Sequence, residues 1–327
     1  MVIIEFTSFS NRIERQHFVL VFGVGLIGNS ILNKISASSN SIRSKFKFTW
    51  GDHALQKMEL NKIVEFLDKQ IIEKKTGITK QIDIIWSAGK GGFYSSREVL
   101  NLELESYQNI LEFSFQVSEK FSTINIGFHL FSSAGGLFEG QKFVDINSQP
   151  FPLRPYSELK LIQENMLKIL NCKLNKYIYR PSSVYGYIPN SRLGLIPNIL
   201  VKSIRYECID VFASTATLRD YIFVNDISEF VKMNILVAAS SSQNCEPKVY
   251  FLVTGKPSTI LEILKVISNT VNRNIYNNYT LSIKNSDDNT FSPNIVPLRL
   301  NTTDIYTGIS ITYNEIIKHY TNNSYII

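Results

Sequence analysis

The sequence predicts an α/β chain: a doubly wound parallel sheet with helices on both faces, followed by a smaller, discontinuous C-terminal part. Three observations carry this. Short apolar runs alternate with segments of helical period through the first half of the chain. A glycine-rich turn, Gly23-Val24-Gly25-Leu26-Ile27-Gly28, stands between the first such run and the first such helix. After about Tyr187 loops, a short helix and Asn/Ser-rich stretches replace the regular alternation.

In chain order, His17–Gly23 (HFVLVFG) reads as a buried strand and Leu26–Ile35 as a helix. Lys45–Trp50 (KFKFTW) is the next strand candidate, and Leu60–Lys74 is an amphipathic helix. Gln81–Gly89 is a strand entering a loop, Leu100–Phe121 a long helix, and Ile124–Ser133 a strand. Tyr156–Leu170 is helical, and Lys176–Gly186 is a strand leading into a turn. Gly186–Ile204 combines loops with a short helix, and Arg219–Ala239 reads as strand, turn and helix. Ser240–Lys248 is a polar loop, and 272–293 is loop-dominated with one strand at Tyr279–Ile283. This order divides the chain into a regular α/β part, 1–186, to which the chain returns around 215–255, and a smaller, interrupted part, 187–327; the glycine turn makes the first the candidate dinucleotide-binding domain and leaves the second as the mainly substrate-binding candidate.

The bulk properties set bounds. With 327 residues, 44% of them hydrophobic and 19% charged, the chain has ample material for a core. The N-terminal residues lack the apolar stretch of a secretory leader, and no run is long enough to cross a bilayer. Cys172, Cys208 and Cys245 are odd in number and far apart, as suits reduced thiols. The expectation is a cytoplasmic protein with no membrane partner. A net charge of +6 comes from scattered lysines, which argues against a nucleic-acid surface and suits a phosphate-bearing small ligand. His17, His53, His129 and His319 show no ligand spacing, so no metal is expected.

The glycine turn carries chemistry because it follows an apolar strand and opens a helix. Gly23 permits the tight turn, Gly25 lets a pyrophosphate approach the backbone, and Gly28 lets helix and strand pack closely. The helix N-terminus then offers free N–H groups to the anion. No carboxylate sits at the position about 20 residues on where a ribose partner is expected. Asp52 lies late for it, and Trp50 is placed to flank the adenine, so NAD is expected with NADP left open.

Tyr156 and Lys160 are spaced i, i+4 on one helix face, shortly after the Ser132-Ser133 pair that ends a strand. A free tyrosine titrates too high to act as a base at neutral pH, and a nearby ammonium and a charged nicotinamide would favour its phenolate. A serine hydroxyl from the strand end would hold the substrate oxygen. Such a site removes a proton from a sugar hydroxyl while hydride leaves its carbon.

These segments together resemble the extended short-chain dehydrogenase/reductases, in particular the NAD-dependent epimerase/dehydratase group acting on nucleotide sugars, over roughly Phe18 to Tyr320. FGVGLIG resembles the glycine loop, IIWSAG the loop beside the cofactor, FSSAGGLFEG the Ser-Ser…Tyr-Gly segment and PYSELK the Y-x-x-x-K segment. RPSSVYGY (Arg180–Tyr187), LRDYIFVNDISEFV (Leu218–Val231) and FLVTGKPSTILEILKVI are similar to the later motifs.

The resemblance implies a Rossmann-type fold and a catalytic set of Tyr156 as acid/base, Lys160 on the nicotinamide ribose, and Ser133 or Ser132 as the third hydroxyl. It implies cofactor contacts from Gly23, Gly25, Leu26, Ile27, Gly28, Trp50, Ser87, Ala88, Gly89, Pro181 and Ser183. Substrate contacts would come from Ser133, Tyr185 and Arg219, with Tyr221 also near the pocket. The implied activity is an NAD(P)-dependent nucleotide-sugar epimerase or reductase, serving a surface polysaccharide. The alternative is a catalytically weak cofactor-binding sensor or scaffold. A homodimer through Leu100–Phe121 and Tyr156–Leu170 is implied as well.

Four departures stand out. Phe22 replaces the first glycine of G-x-x-G-x-x-G; Ala134 falls where the group has Ser or Thr; Ser183 replaces an Asn; and Lys90 stands where an apolar residue is common. The stretch Ala134-Gly135-Gly136 lacks the carboxylates of the dehydratases, and Glu139 comes too late to replace them, which disfavours elimination. Asp226 and Glu229 read as a helix start facing solvent, and His129 as a core histidine.

Overall fold

A computed structural model describes residues 1–10, 13–37, 40–73, 78–89, 91–92, 95–170, 173–211, 214–238, 246–275, 277–279 and 288–323. The central sheet follows from strands that are apolar on both faces. In β2 (Ile13–Phe22), Phe18, Leu20 and Phe22 pack on one side and Val19 and Val21 on the other. After β1 (Val2–Ser10) and β2 come α1 (Leu26–Ser36), β3 (Ser41–Lys45), α2 (His53–Glu73), β4 (Thr79–Trp86) and α3 (Arg97–Lys120). Then follow β5 (Asn125–Phe131), the short α4 (Ala134–Leu137), α5 (Pro155–Ile169) and β6 (Asn175–Pro181). Helices α2, α3 and α5 bury one face of the sheet through Ile63, Ile110 and Leu167. The other face is covered by α1 and by α7 (Val224–Ala238), through Ile31, Leu32, Ile227 and Phe230. A sheet buried on both faces in this way is the doubly wound architecture.

Strands lie in the order β11-β6-β5-β4-β2-β1-β3, with β11 (Lys248–Leu252) returning to the far edge. Six of the seven run in one direction; β1 is antiparallel to both of its neighbours, β2 and β3. No strand is expected from the sequence in the N-terminal segment, yet Val2–Ser10 forms one. Its place inside the sheet follows from Val2, Ile3, Ile4 and Phe6, all buried. Each contributes about 2 kcal/mol on burial, and an edge position would leave the backbone groups on one side of the strand unpaired. The inserted strand separates β2 from β3, which are neighbours in the usual doubly wound order. The end of β3 is thereby moved about 4.8 Å, one strand spacing, further from the glycine turn.

Two sequence readings shift. The strand placed at Lys45–Trp50 is instead β3, Ser41–Lys45, because its ladder partner β1 ends at Val2 opposite Lys45. Beyond it the chain is held by rings, with Phe46 against Phe66 and Phe48 against Phe22. Helix α2 begins at His53 rather than Leu60 because Asp52 caps it, its Oδ1 accepting from the Leu55 amide at 3.0 Å. Asp52 therefore serves the helix start.

Past β6, the short β7 (Ser183–Tyr185) pairs with β10 (Tyr221–Phe223), β9 (Leu218–Arg219) with β12 (Ser258–Thr259), and β8 (Ile209–Val211) with β13 (Asn277–Tyr279). Helices α6 (Leu195–Ile204), α8 (Ile260–Val271) and α9 (Ile305–Asn323) enclose a separate apolar cluster that includes Ile199, Ile263, Ile309 and Ile316. Thr259 and Glu262 start α8 with a reciprocal capping box. The strand expected at Tyr279–Ile283 meets β13 at Tyr279, while residues 280–287 and most of the polar loop after Ala239 lie outside the described residues.

The buried position of β1 has a direct check. Ile4→Ala should lower the unfolding free energy by about 3 kcal/mol in denaturant titration, whereas a solvent-exposed edge residue would cost a few tenths.

Candidate active site

The parallel strands end level with one another. Register pairs Phe22 with Trp86, Trp86 with Leu130, and Phe131 with Tyr179, so four loops leave one edge of the sheet side by side. The glycine turn follows β2. Gly23 has φ +97°, and a Cβ there would stand 2.3 Å from the backbone of Ala88. A Cβ on Gly28 would stand 2.1 Å from the Gly23 carbonyl oxygen. Ser87 locks the two loops, its Oγ donating to the Gly23 carbonyl at 2.8 Å and its amide to that of Phe22. Around Gly25, by contrast, nothing lies within 4 Å of an added Cβ. No side chain caps α1 and no acid stands in its first turn. Two crowded glycines and one open glycine at an uncapped helix N-terminus fit a bound pyrophosphate. Trp50 lies across the same strand ends, 5.1 Å from Phe48 and 5.7 Å from Trp86, ring to ring. Leu26 faces the adjoining cavity, while Ile27 packs into the apolar clusters below.

Tyr156 sits in the first turn of α5, where Pro155 sets the helical entry. Its ring lies beside Gly136: a Cβ on that residue would be 3.3 Å from Tyr156 Cε1 and 3.2 Å from Ser133 Oγ. Ser133 caps α4, accepting from the Gly136 amide at 3.0 Å, so Tyr156 and Ser133 converge on one point. Ser132 Oγ is buried and has no hydrogen-bond partner among the described residues. Ala134 is fully buried in an apolar cluster with Phe138 and Phe251.

Lys160 lies one turn along, its Nζ 5.6 Å from the centre of the Tyr156 ring. The ammonium is almost wholly buried and donates to Glu103 Oε1 at 3.0 Å and to Gln163 Oε1 at 3.1 Å. Burial pushes Lys160 down, but the charge of Glu103, the Tyr156 side chain and the Glu103 hydrogen bond together hold it above the usual lysine range.

Two cavities meet at this edge. One, of about 530 Å³, is lined by Leu26, Gly91, Gly92, Tyr156, Val184 and Arg192 among others. The second, of about 410 Å³, shares Val184, Gly194 and Leu195 with it and adds Ser183, Tyr185, Arg219 and Tyr221. Glu139 reaches this second cavity in a fork with Arg154, with contacts of 2.5–2.8 Å. Desolvation raises Tyr221 to about 12, and its hydroxyl finds no partner among the described residues. Tyr185 is raised further still by burial, with Asp226 and Asp304 adding to it. Pro181 ends β6 on the same edge, and Ser183 is tied down by its amide to the Asp220 carbonyl. Lys90 lies outside the described residues. A larger cavity of about 690 Å³ beside Tyr177, Phe230 and Tyr250 holds none of these groups.

A model of the NAD-dependent epimerase/dehydratase family matches residues 19–250. The chain belongs to that family. Solved structures agree on the fold. A UDP-glucose 4-epimerase from Thermus thermophilus, in complex with NAD, is 16% identical; the match covers 93% of this chain and 99% of that one, with a TM-score of 0.69. A UDP-glucuronic acid 4-epimerase from Bacillus cereus, in complex with UDP-glucuronic acid and NAD, is 17% identical over 92% and 99%, with a TM-score of 0.66. A UDP-glucose 4-epimerase from Thermotoga maritima, with UDP-glucose, is 15% identical over the same shares, with a TM-score of 0.67. No curated protein sequence matches the chain. Among the described residues no helix is long and apolar enough to cross a membrane, and no group of three or more His, Cys, Asp or Glu could hold a metal ion.

Within this family fold, sequence reasoning passed over several residues. Glu103 had a legible signal, since it occupies the buried stripe of α3 between Leu100 and Tyr107. Asp220 falls within the Leu218–Val231 motif, but no local pattern gives it a role: it is buried and accepts from Ser182 Oγ, the Thr254 amide and hydroxyl, and the Gly255 amide, tying three loops at the sheet edge. Asp226, expected to face solvent, is half-buried and accepts from the amide and hydroxyl of Thr303; burial raises its pKa despite those bonds. The Thr303 segment folds back over the start of α7, which no local pattern announces. Glu229, in contrast, forms an exposed pair with Lys34 at 2.7 Å. His129 is buried between Asp83 and Tyr179, 3.0 Å from each.

The contrast between glycines is testable. Gly25→Ala should leave thermal stability within about 0.5 kcal/mol of wild type while weakening dinucleotide binding about tenfold or more, by calorimetry. Gly23→Ala should cost about 2 kcal/mol or more through strain and overlap. Asp220→Asn, which removes a charged acceptor of several hydrogen bonds, should lower stability by about 2–3 kcal/mol in denaturant titration.

Proposed function

We propose that the protein is an NAD-dependent nucleotide-sugar epimerase or reductase that transfers hydride at a sugar carbon, with Tyr156 as acid/base. One observation carries this. Tyr156, converging with Ser133, faces a cavity whose walls include Leu26 of the glycine turn on one side and Arg192 on the other, and which opens toward Arg219. A ligand along that path would meet the phosphate-binding turn, then the phenol, then cations suited to a second diphosphate. The 4-epimerase structures with NAD, UDP-glucose and UDP-glucuronic acid support the same pairing of cofactor and substrate.

In this reading the crowded Gly23 and Gly28 hold the turn, and the amides at the start of α1 take the dinucleotide pyrophosphate, with Ser87, Ala88, Gly89, Pro181 and Ser183 around it. The bound dinucleotide supplies the hydride acceptor. Ser133, with Ser132 behind it, orients the sugar hydroxyl that Tyr156 deprotonates. Lys160 holds the nicotinamide ribose. Arg219 takes the nucleotide diphosphate, beside Tyr185 and Tyr221. Absence of any carboxylate in Ala134–Gly136 favours proton and hydride exchange over elimination. Residues 1–186, with the return through β11, would serve the cofactor and the later elements the sugar nucleotide. The protein would act in the cytoplasm as a homodimer, making a sugar for a polysaccharide.

Incubation with UDP-, GDP- and dTDP-sugars should yield an epimer or a change in reduced-nicotinamide absorbance for at least one of them; no turnover by folded protein with dinucleotide bound would sink the reading. Tyr156→Phe should lower kcat by about 10²–10⁴-fold with dinucleotide binding unchanged. Loss of activity without loss of cofactor separates an acid/base from a packing residue.

A further inference from the structure

Among the groups at this edge that the proposed chemistry does not use, Glu103 is the one in contact with Lys160. It projects from the middle of α3, buried, into a closed triangle: Oε1 accepts from Lys160 Nζ at 3.0 Å and from Gln163 Nε2 at 3.2 Å, while Gln163 Oε1 accepts from Lys160. Tyr107 fastens the triangle from below by donating to the Gln163 carbonyl at 3.0 Å. The other carboxylate oxygen, Oε2, is buried and accepts from no described residue. It lies against the loop after β4, where a Cβ on Gly89 would be 2.9 Å away and one on Gly91 3.2 Å away. The same Gly91 position is 3.8 Å from the Tyr156 ring.

A buried carboxylate oxygen without a partner costs stability, and the contact to Lys160 could be made by a neutral amide. We infer that Glu103 is a positioning residue that fixes Lys160 and offsets its charge beside the Tyr156 ring. This rests on the proposed role of Tyr156.

Other charges around the group are already paired or lie apart. On α5, Glu158 faces Arg97 of α3 at 3.5 Å, and Glu164 is held by Arg180 and Lys168. Arg154, before α5, is forked onto Glu139. Arg192 reaches the loop at Gly92 from the substrate side. The Lys160–Glu103 pair is the buried ion pair beside the ring, and removing one member leaves a net charge there.

The experiment follows the ring signal of Tyr156 by NMR of tyrosine-labelled protein, identified by its loss in Tyr156→Phe, as a function of pH. In Glu103→Gln that signal should titrate about one pH unit lower than in wild type, and the acid limb of any turnover profile should move down with it. Coincident curves, or no titration of either protein before the fold is lost, overturn the inference. A raised titration point does so too, and is the result if the orphaned ammonium simply deprotonates. Should Glu103→Gln not fold, Glu103→Asp keeps the charge but draws it back from Nζ; a smaller downward movement supports the inference and none overturns it. The titration needs no substrate, so it decides this point even if every sugar nucleotide fails. Turnover with an unmoved titration point would remove this inference alone.

Discussion

The site depends on parallel strands finishing at the same level. Because β2, β4, β5 and β6 end in register, the loops after them are forced into contact, and Gly23 can meet the Ala88 backbone only because it carries no side chain. Ser87 then ties the first of these loops to the second. The open space beside Gly25 is a consequence of that crowding. The backbone turns sharply at Gly23 and closes at Gly28, which leaves Gly25, between them, uncovered. A change in strand register by one residue would invert the two apolar faces of the sheet and remove the turn from its partner.

From this edge the electrostatics follow. Lys160 and Tyr156 ride on one helix, and Glu103 comes from another, so the distance between phenol and ammonium is fixed by helix geometry while the ammonium's counter-ion is set by helix packing. The two can be altered separately, which is what makes the charge balance at Tyr156 an adjustable property of the fold. At the second cavity the pattern differs. Arg154 has its own carboxylate, Glu139, while Arg219 is held through a bridge to Asn289 and its place at the cavity wall. Asp220, adjacent in sequence, faces inward and clasps the loops instead.

The inserted strand β1 changes the neighbourhood of the glycine turn without touching the turn itself. It widens the sheet by one strand and carries the end of β3 away. The missing carboxylate at the ribose position, noted from the sequence, fits this displacement: a residue at the end of β3 would stand one strand further out. Asp52 and Glu59, the nearest acids that follow, are occupied by the start of α2 and by Thr49.

Local pattern determined much of this by itself. The glycine turn in its strand–helix setting, the i, i+4 placement of Tyr156 and Lys160, and the long amphipathic helices are encoded over a few residues, where period and backbone freedom decide the outcome. Family motifs extended that reading to Arg219 and Ser183. Only the tertiary structure decided the rest. Val2–Phe6 is an ordinary apolar run until β2 and β3 offer it two ladders, and Lys45–Trp50 loses its strand for want of a partner. Asp226 and Asp220 are charged side chains whose fate depends on amides far away in sequence. Glu103 lies between these cases: helical period already placed it on the buried face, but its meaning came from Lys160, 57 residues later, because an ion pair is a property of two segments brought together.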